Sequence, residues 1–267
     1  MVGAAVCFHT ASPFWMDGRV DNHEMVQTAE DGTLNVLRSC AAAAPSAGGE
    51  LSRVVLTSSF AALMSTSVAA DYTYTEADWN SSSAPDASGE FPEPQTAQAY
   101  RWSKTAAERS AWDFVEGTEL ELTTILPPMV LGENKNSIES LGELNQSSLL
   151  LHRLLSGEAK EIMPGSLGFT DVADVAKAHV LAASAPAAAG QRYLCSGTSA
   201  SWVDVCSILR ELFPERADRI PTDGPEAGLP CLTLDSSKIE RELGMEFVPL
   251  RETLRTQGNA LKAAGLL

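Results

Sequence analysis

Tyr100-Arg-Trp-Ser-Lys104 sets a phenol and an ammonium four residues apart. On a helix, positions i and i+4 share a face. A free phenol has a pKa of about 10 and a free ammonium about 10.4. Held together, the cation favours phenolate and is expected to lower the Tyr100 pKa. The phenol is then suited to act as general acid on a ketone or aldehyde oxygen while a hydride reaches the carbon. Lys104 has spare N–H donors for a ribose hydroxyl. The spacing alone is weak, because the chain holds 4 Tyr and such a pair arises readily by chance. Thr57-Ser58-Ser59 supplies context. It closes a strand-like run about forty residues earlier. Carboxyl ends of parallel strands face the ligand crevice in open α/β sheets. A hydroxyl there can hold a carbonyl beside the Tyr. A Ser-rich turn is the plain alternative.

The elements that would position these groups alternate between β-rich runs and amphipathic helices, the pattern of a parallel α/β sheet. Ala4–Thr10 reads as a buried strand and Glu24–Ala44 as a helix. Gly32 within that helix costs about 1 kcal/mol relative to Ala, and close helix–sheet packing is the expected reason for it. Arg53–Ser58 is apolar on both faces, as central parallel strands are. Ser81–Pro94 reads as a surface loop, Gln98–Phe114 as a helix and Leu122–Leu126 as a strand stopped by Pro127 and Pro128. Beyond Gly132 the expected elements are helices at Ser148–Leu155, Asp171–Ser184 and Arg251–Ala264 and a strand at Arg192–Cys195. Ser201 and Asp204 make a capping-box-like start to an apolar stripe of Trp202, Val205, Ile208, Leu209 and Leu212. The Pro/Gly-rich segment from Pro214 to Pro230 breaks the pattern.

Composition narrows the function classes. The 267 residues carry a formal charge of −16, with 44% hydrophobic residues. Such a surface repels phosphate backbones and anionic membranes, so neither nucleic acid nor membrane is an expected partner. No apolar run approaches the roughly 18 residues of a membrane span, and the start lacks the look of a signal peptide. Five scattered cysteines, without a CxxC pair, suggest reduced thiols in a cytoplasmic setting. No Cys or His pair has zinc-ligand spacing, so no metal is expected.

Taken in order, Phe8-His-Thr-Ala-Ser-Pro13, Gly32-Thr-Leu-Asn-Val-Leu-Arg-Ser-Cys40, Val54-Val-Leu-Thr-Ser-Ser59, Tyr74-Thr-Glu-Ala-Asp-Trp79, Ser103-Lys-Thr-Ala-Ala-Glu108, Pro127-Pro-Met-Val-Leu-Gly132, Asp171-Val-Ala-Asp-Val-Ala-Lys-Ala-His179 and Arg192-Tyr-Leu-Cys195 carry a resemblance. The chain resembles the dihydroflavonol reductase and cinnamoyl-CoA reductase branch of the extended short-chain dehydrogenases/reductases, within the NAD-dependent epimerase/dehydratase superfamily. The resemblance implies a Rossmann-like parallel sheet with a smaller C-terminal α/β substrate lobe. Residues 1–132 would form a partial dinucleotide-binding domain, and 133–267 mainly the substrate lobe, with elements returning to the sheet. It implies a catalytic set of Ser59, Tyr100 and Lys104, with Ser58 as the alternative serine. Cofactor contacts would come from Thr10, Ala11, Ser12, Tyr100, Lys104, Pro127, Pro128, Met129, Val130 and Ser148. NADP(H) is the implied cofactor, with NAD as the alternative, and the partner a small-molecule carbonyl compound.

Two departures shape the expectations. No G-x-x-G-x-x-G occurs in the chain, although that turn receives the pyrophosphate at a helix N-terminus in this fold. A truncated gene model or degenerate paralogue is the expectation, with an open apolar edge on the Ala4–Thr10 strand. Ala99-Tyr-Arg-Trp-Ser-Lys104 replaces the Asn-Trp-Tyr-Cys-Tyr-Gly-Lys-like stretch of cinnamoyl-CoA reductases, so a simple ketone, an aldehyde or a flavonoid-like carbonyl competes with a CoA thioester. Three readings stay open: a carbonyl reductase, a nucleotide-sugar epimerase or dehydratase, and an inactive relative acting as a binding protein. His9, His179, Trp79 and Trp202 read as packing residues. Glu76 and Asp78 lack surroundings that would separate their pKa values into an acid and a base.

Overall fold

The computed structural model describes residues 3–16, 18–65, 68–69, 71–136, 138, 140–224 and 231–267. Its elements run β1 (Val6–His9), α1 (Asn22–Ala41), β2 (Arg53–Thr57), β3 (Thr73–Tyr74), α2 (Gln95–Val115), β4 (Glu121–Leu126), β5 (Met129–Leu131) and α3 (Gln146–Ser156). They continue as β6 (Ser166–Asp171), α4 (Val172–Ser184), β7 (Gln191–Leu194), β8 (Thr198–Ser201), α5 (Trp202–Leu212), β9 (Thr233–Leu234), α6 (Ser237–Leu243) and α7 (Leu250–Ala263).

The main sheet has the order β1-β2-β4-β7, and every pairing in it is parallel. This is the Rossmann-like α/β arrangement that alternating strands and helices imply. Each central strand feeds two cores because neighbouring side chains point to opposite faces. Val54, Leu56 and Leu122 pack with Leu37 and Cys40 of α1 and Ala111 of α2. Val55 and Ile125 face the other way, onto Ala178 and Ala182 of α4 and Ile239 of α6. Burying one such aliphatic side chain contributes about 1.5–3 kcal/mol.

A second, mixed sheet, β5-β6-β8, carries α3, α5 and α7. Phe169, Trp202, Val205 and Leu254 lie at its core. β5 follows β4 after only Pro127 and Pro128, so this lobe begins at the carboxyl end of a main-sheet strand. The Ser201/Asp204 capping box opens α5 as expected. A two-residue parallel pairing, β3 with β9, completes the strands.

Two local expectations need correction. β1 is half-exposed rather than buried: Phe8 is 47% exposed. The reason is its place at the sheet edge, where among the described residues it pairs only with β2. Gly32 does not mark close packing either. A Cβ built there meets nothing within 4 Å, because the residue lies on the exposed face of α1. Residues 225–230, the end of the Pro/Gly-rich segment, lie outside the described residues. Among the described residues, no helix is long and apolar enough to cross a membrane.

Candidate active site

Three elements meet at the carboxyl end of the main sheet. β2 ends at Thr57, and a 3-10 turn at Phe60–Ala62 follows at once. Ser59 caps that turn by accepting from the Ala61 amide at 3.1 Å. α2 brings Tyr100 alongside, within hydrogen-bonding reach of the Ser59 hydroxyl. The Pro127-Pro128 break turns the chain from β4 into Met129 and Val130. Ser59, Tyr100, Pro128, Met129 and Val130 thus line one cleft of about 740 Å³.

Lys104 lies one turn along α2, its Nζ 5.9 Å from the Tyr100 ring centroid. Among the described residues it has no carboxylate or hydrogen-bond acceptor of its own. Burial pulls its pKa from 10.5 down to about 8, the direction expected of a desolvated ammonium. Tyr100 moves opposite to the sequence expectation. Burial pushes the phenol above its ordinary value, and the Ser59 hydroxyl draws it back only in part. The cation sits over the ring and not at the phenol oxygen, so desolvation dominates. Phe14 also lines the cleft, its ring edge-on to Tyr100 at 4.7 Å.

The choice between Ser58 and Ser59 follows from partners. Ser58 is buried and donates to Glu108 Oε2 at 2.6 Å, so its hydroxyl is committed. Glu108, on α2, is a hub. It also accepts from Thr124 of β4 at 2.8 Å, from Trp112 at 3.3 Å and from both Nε and Nη2 of Arg192 at the start of β7. Arg192 in turn lies 3.6 Å above the Trp79 ring and donates to the Glu76 and Asp78 carbonyls. The network fastens the Tyr100 helix to β4, to β7 and to the residue just past β2. Glu108 was hidden in the sequence. Its one local signal is a charge at i+4 from Lys104, in the buried stretch Thr105–Ala107.

The remaining candidates divide. Thr10, Ala11 and Ser12 lie exposed just beyond β1. Pro127 is buried behind the cleft wall. Ser148 is buried too, but it donates to Asn134 and accepts from Gln257, facing a separate hollow of about 200 Å³. Its neighbours Asn145, Gln146 and Ser147 line the cleft instead. His179 packs as expected: Nδ1–H donates to Val175 O at 2.7 Å and Nε2 accepts from Thr57 at 2.6 Å. His9 is buried against Thr33 at 3.3 Å. Trp202 is buried edge-on to Phe169. Asp78 accepts from Tyr72 and Thr75 in its own loop. The five cysteines are free thiols.

Residues 2–195 match the family model of the NAD dependent epimerase/dehydratase family. Cinnamoyl-CoA reductase CAD2 of Medicago truncatula is 34% identical over 96% of this chain and 72% of its own length. NADPH-dependent methylglyoxal reductase GRE2 of Saccharomyces cerevisiae is 33% identical over 97% of this chain and 77% of its length. The crystal structure of yeast methylglyoxal/isovaleraldehyde reductase Gre2 complexed with NADPH superposes with a TM-score of 0.85 at 32% identity. That match covers 98% of this chain and 78% of the yeast protein.

Proposed function

The chain belongs to the NAD dependent epimerase/dehydratase family, and we propose that it is an NADPH-dependent reductase converting a small carbonyl compound to an alcohol. One observation carries the chemistry: Ser59 and Tyr100 share a cleft at the carboxyl end of the parallel sheet, with the Lys104 Nζ 5.9 Å from the Tyr100 ring centroid. The reductase reading is preferred to an epimerase because the relatives at 33–34% identity are named reductases.

The fit to a nicotinamide cofactor rests on Lys104, a desolvated cation without a protein partner among the described residues. A ribose hydroxyl is a suitable acceptor for it. Thr10, Ala11, Ser12, Met129 and Val130 are proposed as further contacts. When bound, NADPH supplies the hydride for the carbonyl carbon. The protein's own residues do the rest. The Ser59 hydroxyl and the Tyr100 phenol both donate to the carbonyl oxygen and hold it. Burial keeps Tyr100 protonated at neutral pH, as a general acid must be. The phenol then gives its proton to the oxygen as the alcohol forms, and the Lys104 ammonium stabilises the phenolate left behind. Residues 1–132 are read as the cofactor-binding part and 133–267 as mainly the substrate lobe, with α4, β7 and α6 belonging to the sheet.

The test is Tyr100→Phe. NADPH oxidation with an aldehyde should nearly vanish, while NADPH fluorescence on titration still reports binding. Unchanged turnover removes Tyr100 from the mechanism. No binding by the unaltered protein at millimolar NADPH would favour a non-catalytic relative.

A further inference from the structure

We propose that the cleft selects carbonyl substrates bearing an oxyanion, a carboxylate or a phosphate, and that Arg101 reads it. The inference rests on the reductase reading and names its substrate class.

Arg101 follows Tyr100 on α2 and lines the same cleft. It is partly buried. Among the described residues its guanidinium donates no hydrogen bond and meets no carboxylate. Elsewhere in the chain, arginines that leave water are engaged. Arg192 is clasped by Glu108, and Arg53 by Glu121 and two backbone carbonyls. A guanidinium has five donors, and half-buried without a protein acceptor these have only water to satisfy them. Burial depresses the Arg101 pKa, with only the nearby Tyr74 phenol working the other way. A group left in that condition at a cleft wall is suited to an acceptor that arrives with the ligand.

The surrounding charge points the same way. Asp and Glu outnumber Lys and Arg by 35 to 19 in the chain, yet among the described residues no Asp or Glu lines the cleft. Among the described residues its charged lining is Arg101 and Arg153, and Arg153 is held by Glu158 at 3.1 Å. The described wall thus carries no carboxylate, although the chain as a whole is strongly acidic. An anion there meets no carboxylate among those lining residues and finds in Arg101 a bidentate partner. Much of the remaining wall is apolar, with Phe14, Met129, Leu149 and Leu150. The ligand is therefore amphipathic: an apolar body, a carbonyl at Ser59 and Tyr100, and an anionic head at Arg101.

The test follows NADPH oxidation with 4-carboxybenzaldehyde, 4-formylphenyl phosphate and the neutral methyl 4-formylbenzoate. The unaltered protein should prefer one anionic aldehyde over the ester by about tenfold or more in kcat/KM, the worth of one charge-assisted hydrogen bond. The two anionic arms show whether carboxylate or phosphate is the head. In Arg101→Gln the anionic-to-neutral ratio should fall to near one, and Arg101→Lys should keep part of the preference. No preference in the unaltered protein, or a ratio untouched by Arg101→Gln, overturns the proposal. So does an effect confined to the KM for NADPH, which would give Arg101 to the cofactor. If none of the three aldehydes is reduced, the reductase reading fails. Calorimetric titration with 4-carboxybenzaldehyde then decides the Arg101 question alone. Binding lost in Arg101→Gln supports the anion site, and equal or absent binding in both proteins overturns it.

Discussion

Arg192 grips Glu108 through two nitrogens, Nε at 2.7 Å and Nη2 at 3.2 Å, and the carboxylate side chain has no solvent exposure. The pair joins β7 to the helix that carries Tyr100 and Lys104. Removing one partner from such a pair leaves an uncompensated buried charge, which costs about 3–5 kcal/mol. Arg192→Met should therefore lower the unfolding free energy by about that much in urea titrations. Trp79 should also lose the cation stacked on its ring, changing its fluorescence. A loss below about 1 kcal/mol would mean that the pair does not hold α2 in place.

Adjacent serines divide their roles by partner. Ser59→Ala removes a donor from the cleft, and kcat/KM should fall by roughly 10²–10³, as when one oxyanion donor is lost. Losing the cap on the Ala61 amide should cost that variant about 0.5–1 kcal/mol of stability. Ser58→Ala instead strips a hydrogen bond from the buried Glu108 carboxylate and should cost about 1–3 kcal/mol of stability. Thermal melts beside steady-state rates separate the two. The reverse pattern would move the catalytic role to Ser58.

Gly32 sits on the exposed side of α1 with open space where a Cβ would go. Gly32→Ala should stabilise the protein by about 1 kcal/mol through helix propensity and the unfolded chain's lost freedom. For a chain of this size, that is a rise of roughly 2–4 °C in Tm. A lower Tm would show that the glycine meets something the folded chain conceals.

The legible parts of the fold were those with strong local periodicity. β2 is largely apolar on both faces, and α1 and α4 carry apolar stripes; these, with β4 and α2, are found within a few residues of their expected places. β6 (SLGFTD) and β8 (TSAS) gave no such signal. They are strands because they pair with each other and pack on Phe169 and Trp202, which no window of sequence displays. Gly168 is similar. A Cβ there would overlap Leu234 and Pro128, a close approach between segments far apart in the chain. At the site, the Tyr100–Lys104 spacing was readable because a helix converts i, i+4 into proximity. Glu108 and Arg192 are 84 residues apart, and only the fold makes them a pair. The direction of the Tyr100 pKa shift needed burial as well as charge, and burial is a property of the packed cleft.

Lys104 offers a prediction whose sign depends on pH. Its folded pKa of about 8 lies below its ordinary 10.5. Between these values the unfolded chain binds a proton that the folded chain lacks, so this group makes stability rise with pH across that window. Below about pH 8 both states hold the proton, and the full cost of the buried ammonium remains. Lys104→Met removes that cost. The variant should be more stable than the unaltered protein at pH 7, by roughly 1–3 kcal/mol, and the gain should shrink to nothing near pH 10.5. Its turnover should fall sharply, because the developing Tyr100 phenolate loses its cation. Stability gained where activity is lost is the usual mark of a strained functional group. Urea titrations of both proteins from pH 7 to 10.5, with NADPH oxidation measured on the same samples, provide the check. A Lys104→Met variant less stable at pH 7 would mean that Lys104 is a structural partner and not a cation kept waiting for a ligand.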